Sequence, residues 1–333
     1  MKIQQVRAFV AGYDEETLRK LISEIYKCIP KKVIEEKQLD LLLENPQVYL
    51  GGTNKPAKKM IMPDIDEVRG EVEEFIINAR EQNYLAPNRV ISKRERPKWR
   101  FLVKRLYKDL LTLSQDLEDL LETGKLLMEL YKVLCEACGV HLFTAVEPFG
   151  SVGVAQREFY HNVIAVNAKA KQPDEWIKEA ILLIVEQDVD GATLYSGLMD
   201  ELLEFLKTAP LKETGIKWCE TLRRGKPVKP ARRSSSKYEL ERRNNHLTEL
   251  IFRICVALSE KEAAIADFKR HYVEASAEVG LYILMRLLLE YEEKELWLRE
   301  FESAMQRGVQ PRQSLVKDYD RIKETGELPK YLG

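Results

Sequence analysis

Apolar residues recur along this chain at steps of three and four, the spacing that gathers them on one side of a helix. Ile65, Val68, Val72, Phe75 and Ala79 form one such stripe. Asp64 stands before it at an N-cap position, with Glu67 three residues on. Trp99, Val103, Leu106, Leu110, Leu113, Leu117 and Leu120 form a longer one, the mark of a helix packed along its length. Thr123-Gly124 then reads as a turn, followed by a second helix on Leu127, Leu130, Leu134 and Ala137. Pro173, Asp174 and Glu175 open a helix carrying Ile177, Ile181 and Ile184. Ser259 to Glu262 reads as a capping box ahead of Ile265, Phe268 and Tyr272.

Strand patterns are nearly absent, and the breaks are short runs of glycine, proline and asparagine. The pattern predicts an all-α protein, an irregular α-solenoid-like stack of antiparallel helix pairs of roughly 35–45 residues, with a compact helical bundle as the alternative. No residue motif recurs at a fixed period. Two stretches interrupt the helices: a loop at 45–63 and a basic, proline-bearing linker at 226–236. They suggest a larger helical part over 1–225 and a C-terminal helical part over 237–333.

Composition narrows the class. With 45% hydrophobic and 32% charged residues, the 333-residue chain has the make-up of a folded, water-facing protein. Its 53 lysines and arginines balance 54 acids, so no global field favours nucleic acid or an anionic membrane. The N-terminus lacks the apolar core of a signal peptide. The run Leu281–Leu289 is broken by Arg286 and is far short of the about 20 residues a membrane span needs. Five scattered cysteines suit reduced thiols. The expectation is a cytoplasmic protein with no membrane partner.

Candidate chemistry is sparse. Cys135 and Cys138 lie about 60° apart on a helix end. With His141 and His161 they make a set that zinc would accept. The second close ligand pair of a structural zinc site is missing, and a left-handed Gly139 would account for the helix end without metal. The expectation is therefore no cofactor, with zinc the alternative. Glu186 to Gly191 begins like a calcium loop, but Gly197 at the twelfth place supplies no carboxylate. Gly150 to Gly153, with Arg157 beyond, reads as a turn rather than a phosphate cradle. No triad is evident among four histidines, and the chain reads as a non-enzyme.

Two basic clusters remain. The first runs from Arg89 to Lys108 with Glu95 its only acid, and Arg94, Lys98, Lys104, Arg105 and Lys108 are its candidate contacts. Its expected compensation is the acidic helix 64–81, a polyanion being the alternative. The second centres on Arg223, Arg224, Arg232 and Arg233 and has few acids nearby. For it, a solvated linker and a docking arm stand equal. The function these features suggest is a helical binding or scaffold protein with another protein as partner; a nucleic-acid-binding protein and a zinc protein are the alternatives.

Overall fold

The computed structural model describes residues 3–31, 33–34, 39–44, 63–85, 88, 90–225 and 236–332. Among them are sixteen α-helices and no strand, so the chain is all-α. No helix among the described residues is long and apolar enough to cross a membrane. Most of the stretch read as a loop at 45–63, and Arg232 and Arg233 of the basic linker, lie outside the described residues.

Contacts divide the chain into Met1–Met62 and Pro63–Gly333. The first unit holds α1 (Ile3–Val10), α2 (Glu15–Cys28) and α3 (Leu39–Glu44). Asp14 caps α2, its Oδ1 accepting from the Thr17 amide at 2.8 Å. The polar side of α2 is laced by Arg19–Glu15, Lys20–Glu16 and Lys27–Glu24 pairs. Such pairs add only a few tenths of a kcal/mol each.

The second unit begins with α4 (Ile65–Arg80), α5 (Trp99–Leu113) and α6 (Leu120–Gly139), which pack on one another. The predicted cap holds: Asp64 Oδ1 accepts from the amides of Asp66 and Glu67. Trp99 anchors α5 by stacking on Phe143, ring centroids 3.9 Å apart, within an aromatic group that includes Phe75 and Tyr84. The chain continues through α7 (Pro148–Val152), α8 (Gln156–Ala170), α9 (Pro173–Val185), α10 (Tyr195–Phe205) and α11 (Ala209–Arg224). It then runs through α12 (Ser236–Ala257), α13 (Lys261–His271), α14 (Ala277–Glu290), α15 (Lys294–Gln306) and α16 (Gln313–Thr325). One apolar core runs from Val68 to Ile322, and α11 packs on α12 across the basic stretch between them.

Four boundaries differ from the periodic reading. The stripe from Trp99 does not run to Leu120. Helix α5 stops at Leu113, and Leu117 is 82% exposed in the turn that follows. Thr123-Gly124, read as a turn, lies inside α6. There Asn167 of α8 donates to Gly124 O at 3.1 Å, and a Cβ on Gly124 would sit 2.9 Å from the Asn167 side chain. Glycine is there for helix approach, not for a bend. Gly139 is likewise helical rather than left-handed, and the Asp188 carboxylate occupies the space its Cβ would need.

The fourth difference is at Ser259. It caps nothing; it takes φ 65° and closes α12, the Glu260 amide donating back to Cys255 O at 2.8 Å. Glu292 takes φ 55° and closes α14 through the same bond, from the Glu293 amide to Leu288 O at 2.9 Å. After both corners the sequence reads Glu-Lys-Glu into the next helix. A local motif therefore does recur, although only as a corner.

The C-terminal helices are joined by buried charge. Arg253 of α12, its side chain 1% exposed, donates to Glu290 at 2.6 and 2.9 Å and to Asp200 at 2.8 Å. Arg253→Ala removes a buried side chain and its charged hydrogen bonds to two half-exposed carboxylates, and is expected to cost about 1.5–3 kcal/mol, read as a lowered denaturant midpoint. Gly124→Ala displaces Asn167 and is expected to cost about 1–3 kcal/mol in the same measurement.

Candidate functional site

The first basic cluster is built outward from a held loop. Asn88 Oδ1 accepts from the amides of Val90 and Ile91. Arg96 turns inward, its Nε donating to Ile91 O at 3.0 Å. Lys98 pairs with Glu95 at 2.8 Å. With Trp99 buried, the loop and the first turn of α5 are fixed, and Arg94 and Arg100 are left exposed.

Helix α4 does lie beside α5, and the expected internal pairing reaches one residue of that face. Arg105 pairs with Glu71 of α4 and, at 3.3 Å, with Asp109 of its own helix. Other α4 charges go elsewhere: Arg69 to Glu122 at 2.9 Å and Arg80 to Glu136 at 3.3 Å. Arg94, Lys104 and Lys108 meet no carboxylate among the described residues. Lys104 lies on the other side of the helix face from Glu71, its Nζ next to Gly153. Phe101 stands among these cations, 60% exposed, with the Arg100 guanidinium 4.9 Å over its ring.

The second cluster is used differently. Arg223 is largely buried and makes a two-pronged bond to Asp267 of α13 at 2.8 and 2.9 Å. Arg243 is buried, donating to Leu222 O at 2.8 Å and facing Glu186 at 3.5 Å. Arg224 pairs on the surface with Glu220 at 3.1 Å. The partners of Arg223 and Arg243 come from distant helices, so a search for acids nearby in sequence misses them.

The four proposed zinc ligands take separate surroundings. Cys135 is buried and accepts from Gln156 Nε2 at 3.3 Å. Cys138 donates to Leu134 O at 3.4 Å. Burial, with Asp190, Asp188 and Glu147 adding to it, pushes the Cys138 thiol up to about 12, away from the thiolate that zinc or nucleophilic chemistry uses. His141 is exposed. His161 instead meets Glu201 at 2.5 Å, with Glu204 near, and these three could offer ligand atoms within 4.8 Å of one another. Arg157 already stands at Glu201, 2.5 Å away, and 3.8 Å from Glu204. Against burial, which raises it, the bonds from Arg157 and His161 hold the Glu201 carboxyl below its usual range. A cation there would have to displace the guanidinium.

Gly150 to Gly153 forms the short α7 and its left-handed end, Gly153 at φ 77°. The adjacent cavity, about 570 Å³, is also lined by Asp190 and Asp200, which disfavour an anion. Residues 186–191 are a structural turn: Gln156, fully buried, accepts from the Asp190 amide at 2.8 Å and donates to Asp188 O at 3.1 Å. Sequence reasoning missed Gln156, Glu201 and Arg253. Only Arg253, a charge inside the apolar run Ile251 to Val256, left a visible signal.

No protein-family model matches the chain, and neither a curated protein nor a solved structure does. Fold and site together define an all-α protein in which Arg94, Lys104 and Lys108 meet no carboxylate among the described residues.

His246 packs on Tyr195, ring centroids 4.0 Å apart and the planes tilted by 34°, and its buried Nδ1 meets no hydrogen-bond partner among the described residues. Burial, then Arg242, lowers its pKa from 6.5 to about 4. The unfolded chain therefore takes up a proton near pH 6.5 that the folded one refuses until about 4. Stability is expected to fall as pH drops through that window, by up to about 3 kcal/mol. In His246→Phe, urea midpoints measured from pH 7 to 4 are expected to lose this part of the slope.

Proposed function

We propose that the protein is a non-enzymatic, all-helical binding protein that takes an acidic macromolecular partner on the exposed face of α5. The observation that carries this reading is the group Arg94, Lys104 and Lys108, cations that meet no carboxylate among the described residues, on a helix and its held entry loop. Like charges gathered on one helix face and its entry loop repel one another. A polyanion relieves that repulsion through its own charge. Cys138 and Cys255, pushed up to about 12 and about 11 chiefly by burial, are held as thiols rather than as thiolate nucleophiles.

Retention of the full chain on immobilised heparin tests the reading. Arg94→Glu/Lys104→Glu/Lys108→Glu is expected to elute at clearly lower salt than the wild type. Its salt slope should be smaller by about 1 for each lost contact. A control with the same three reversals at Lys169, Lys207 and Arg270, all exposed and outside both basic clusters, is expected to keep most of the retention. Equal elution of the two triple variants overturns the proposal.

A further inference from the structure

Resting on the reading just given, we infer that the partner of the α5 face is single-stranded nucleic acid, its phosphates held by Arg94, Lys104 and Lys108 and one base stacked on Phe101. The cations alone do not choose among polyanions. Phe101 does. The buried stripe of α5 is Trp99, Val103, Leu106, Tyr107, Leu110 and Leu113, and Phe101 stands outside it. It lies one turn from Lys104 and two from Lys108, so the three share a side of the helix. An exposed aromatic ring leaves apolar area in water, and a stacked base would cover it.

Arg100 over the ring makes a flat cationic platform, the combination that proteins holding single strands use in sequence-tolerant binding. An acidic peptide would engage the lysines and gain nothing from this platform. A duplex presents phosphates but keeps its bases stacked on one another, so Phe101 would again be idle. Glu71 and Asp109 crowd the Arg105 side of the helix, and Lys104 projects toward Gly153. The strand therefore runs along the Lys104 side, away from α4.

Fluorescence anisotropy of the full chain with labelled oligo(U) and oligo(dT) of about 12 nucleotides tests this, with a duplex of equal length and polyglutamate for comparison. Single strands are expected to bind tightest. Preference between oligo(U) and oligo(dT) tells RNA from DNA, and either outcome supports the inference. Phe101→Ala is expected to weaken single-strand binding roughly tenfold with the salt slope unchanged. Phe101→Trp should retain it, and both variants should melt like the wild type, because the ring is exposed. If polyglutamate or duplex binds as tightly as the single strands, or Phe101→Ala binds like the wild type, the inference falls. The proposed function survives that result as long as reversal at Arg94, Lys104 and Lys108 weakens some polyanion. Where no probe senses the reversal, both fall.

Discussion

A guanidinium removed from water is tolerable only when carboxylates come with it, and Arg253 imposes that condition on three helices at once. Its side chain is 1% exposed and is met by Asp200 of α10 and by Glu290 at the end of α14. The penalty for burying an unpaired ion is several kcal/mol, so these helices have little freedom to slide. Other residues of α12 extend the condition. Arg243 faces Glu186, and the buried Glu249 accepts from Tyr272 and Arg286. Together these fix α12 as a helix whose polar positions belong to the interior.

Two basic clusters that look alike in sequence therefore have opposite fates. Arg223 and Arg243 are absorbed by carboxylates from other helices, and they hold α11, α12 and α13 together. Around α5 the neighbour is α4, and although it is rich in acid, its geometry delivers only Glu71 to the basic face. Lys98 is answered from its own loop by Glu95, while Arg94, Lys104 and Lys108 meet no carboxylate among the described residues. Charge balance over a whole chain says nothing about this division, because pairing is decided by which helices touch.

Apolar periodicity made the helices legible: Val68, Val72 and Phe75, and later Ile177, Ile181 and Ile184, are all buried as the stripes imply. Helix ends were harder. Gly124 and Gly139 are glycines because Asn167 and Asp188 press against them, a reason that lies on another element and leaves no local trace. Ser259 was read as a cap by its residue type, whereas its positive φ belongs to the helix before it. The same limit governed the site. His161 could be paired on paper with the cysteines, but its partner Glu201 is on α10 and stands in no recognisable spacing to it. The basic face itself was visible, since like charge within one short stretch survives translation into any helix.

The corners at Ser259 and Glu292 explain why the buried pairs sit where they do. Each corner ends one helix and starts the next within a few residues, so the negative end of α14 is delivered next to α12. Glu290 is the last residue of α14, a position where the macrodipole disfavours a carboxylate. Arg253 stands just before the last turn of α12 and supplies the charge that Glu290 needs. The corner sets the last residue of α14 against this guanidinium, so direct Coulomb attraction and two hydrogen bonds offset the unfavourable terminal position of the carboxylate. The same guanidinium reaches Asp200, and one buried cation thereby ties the end of α14 to α10 as well as to α12.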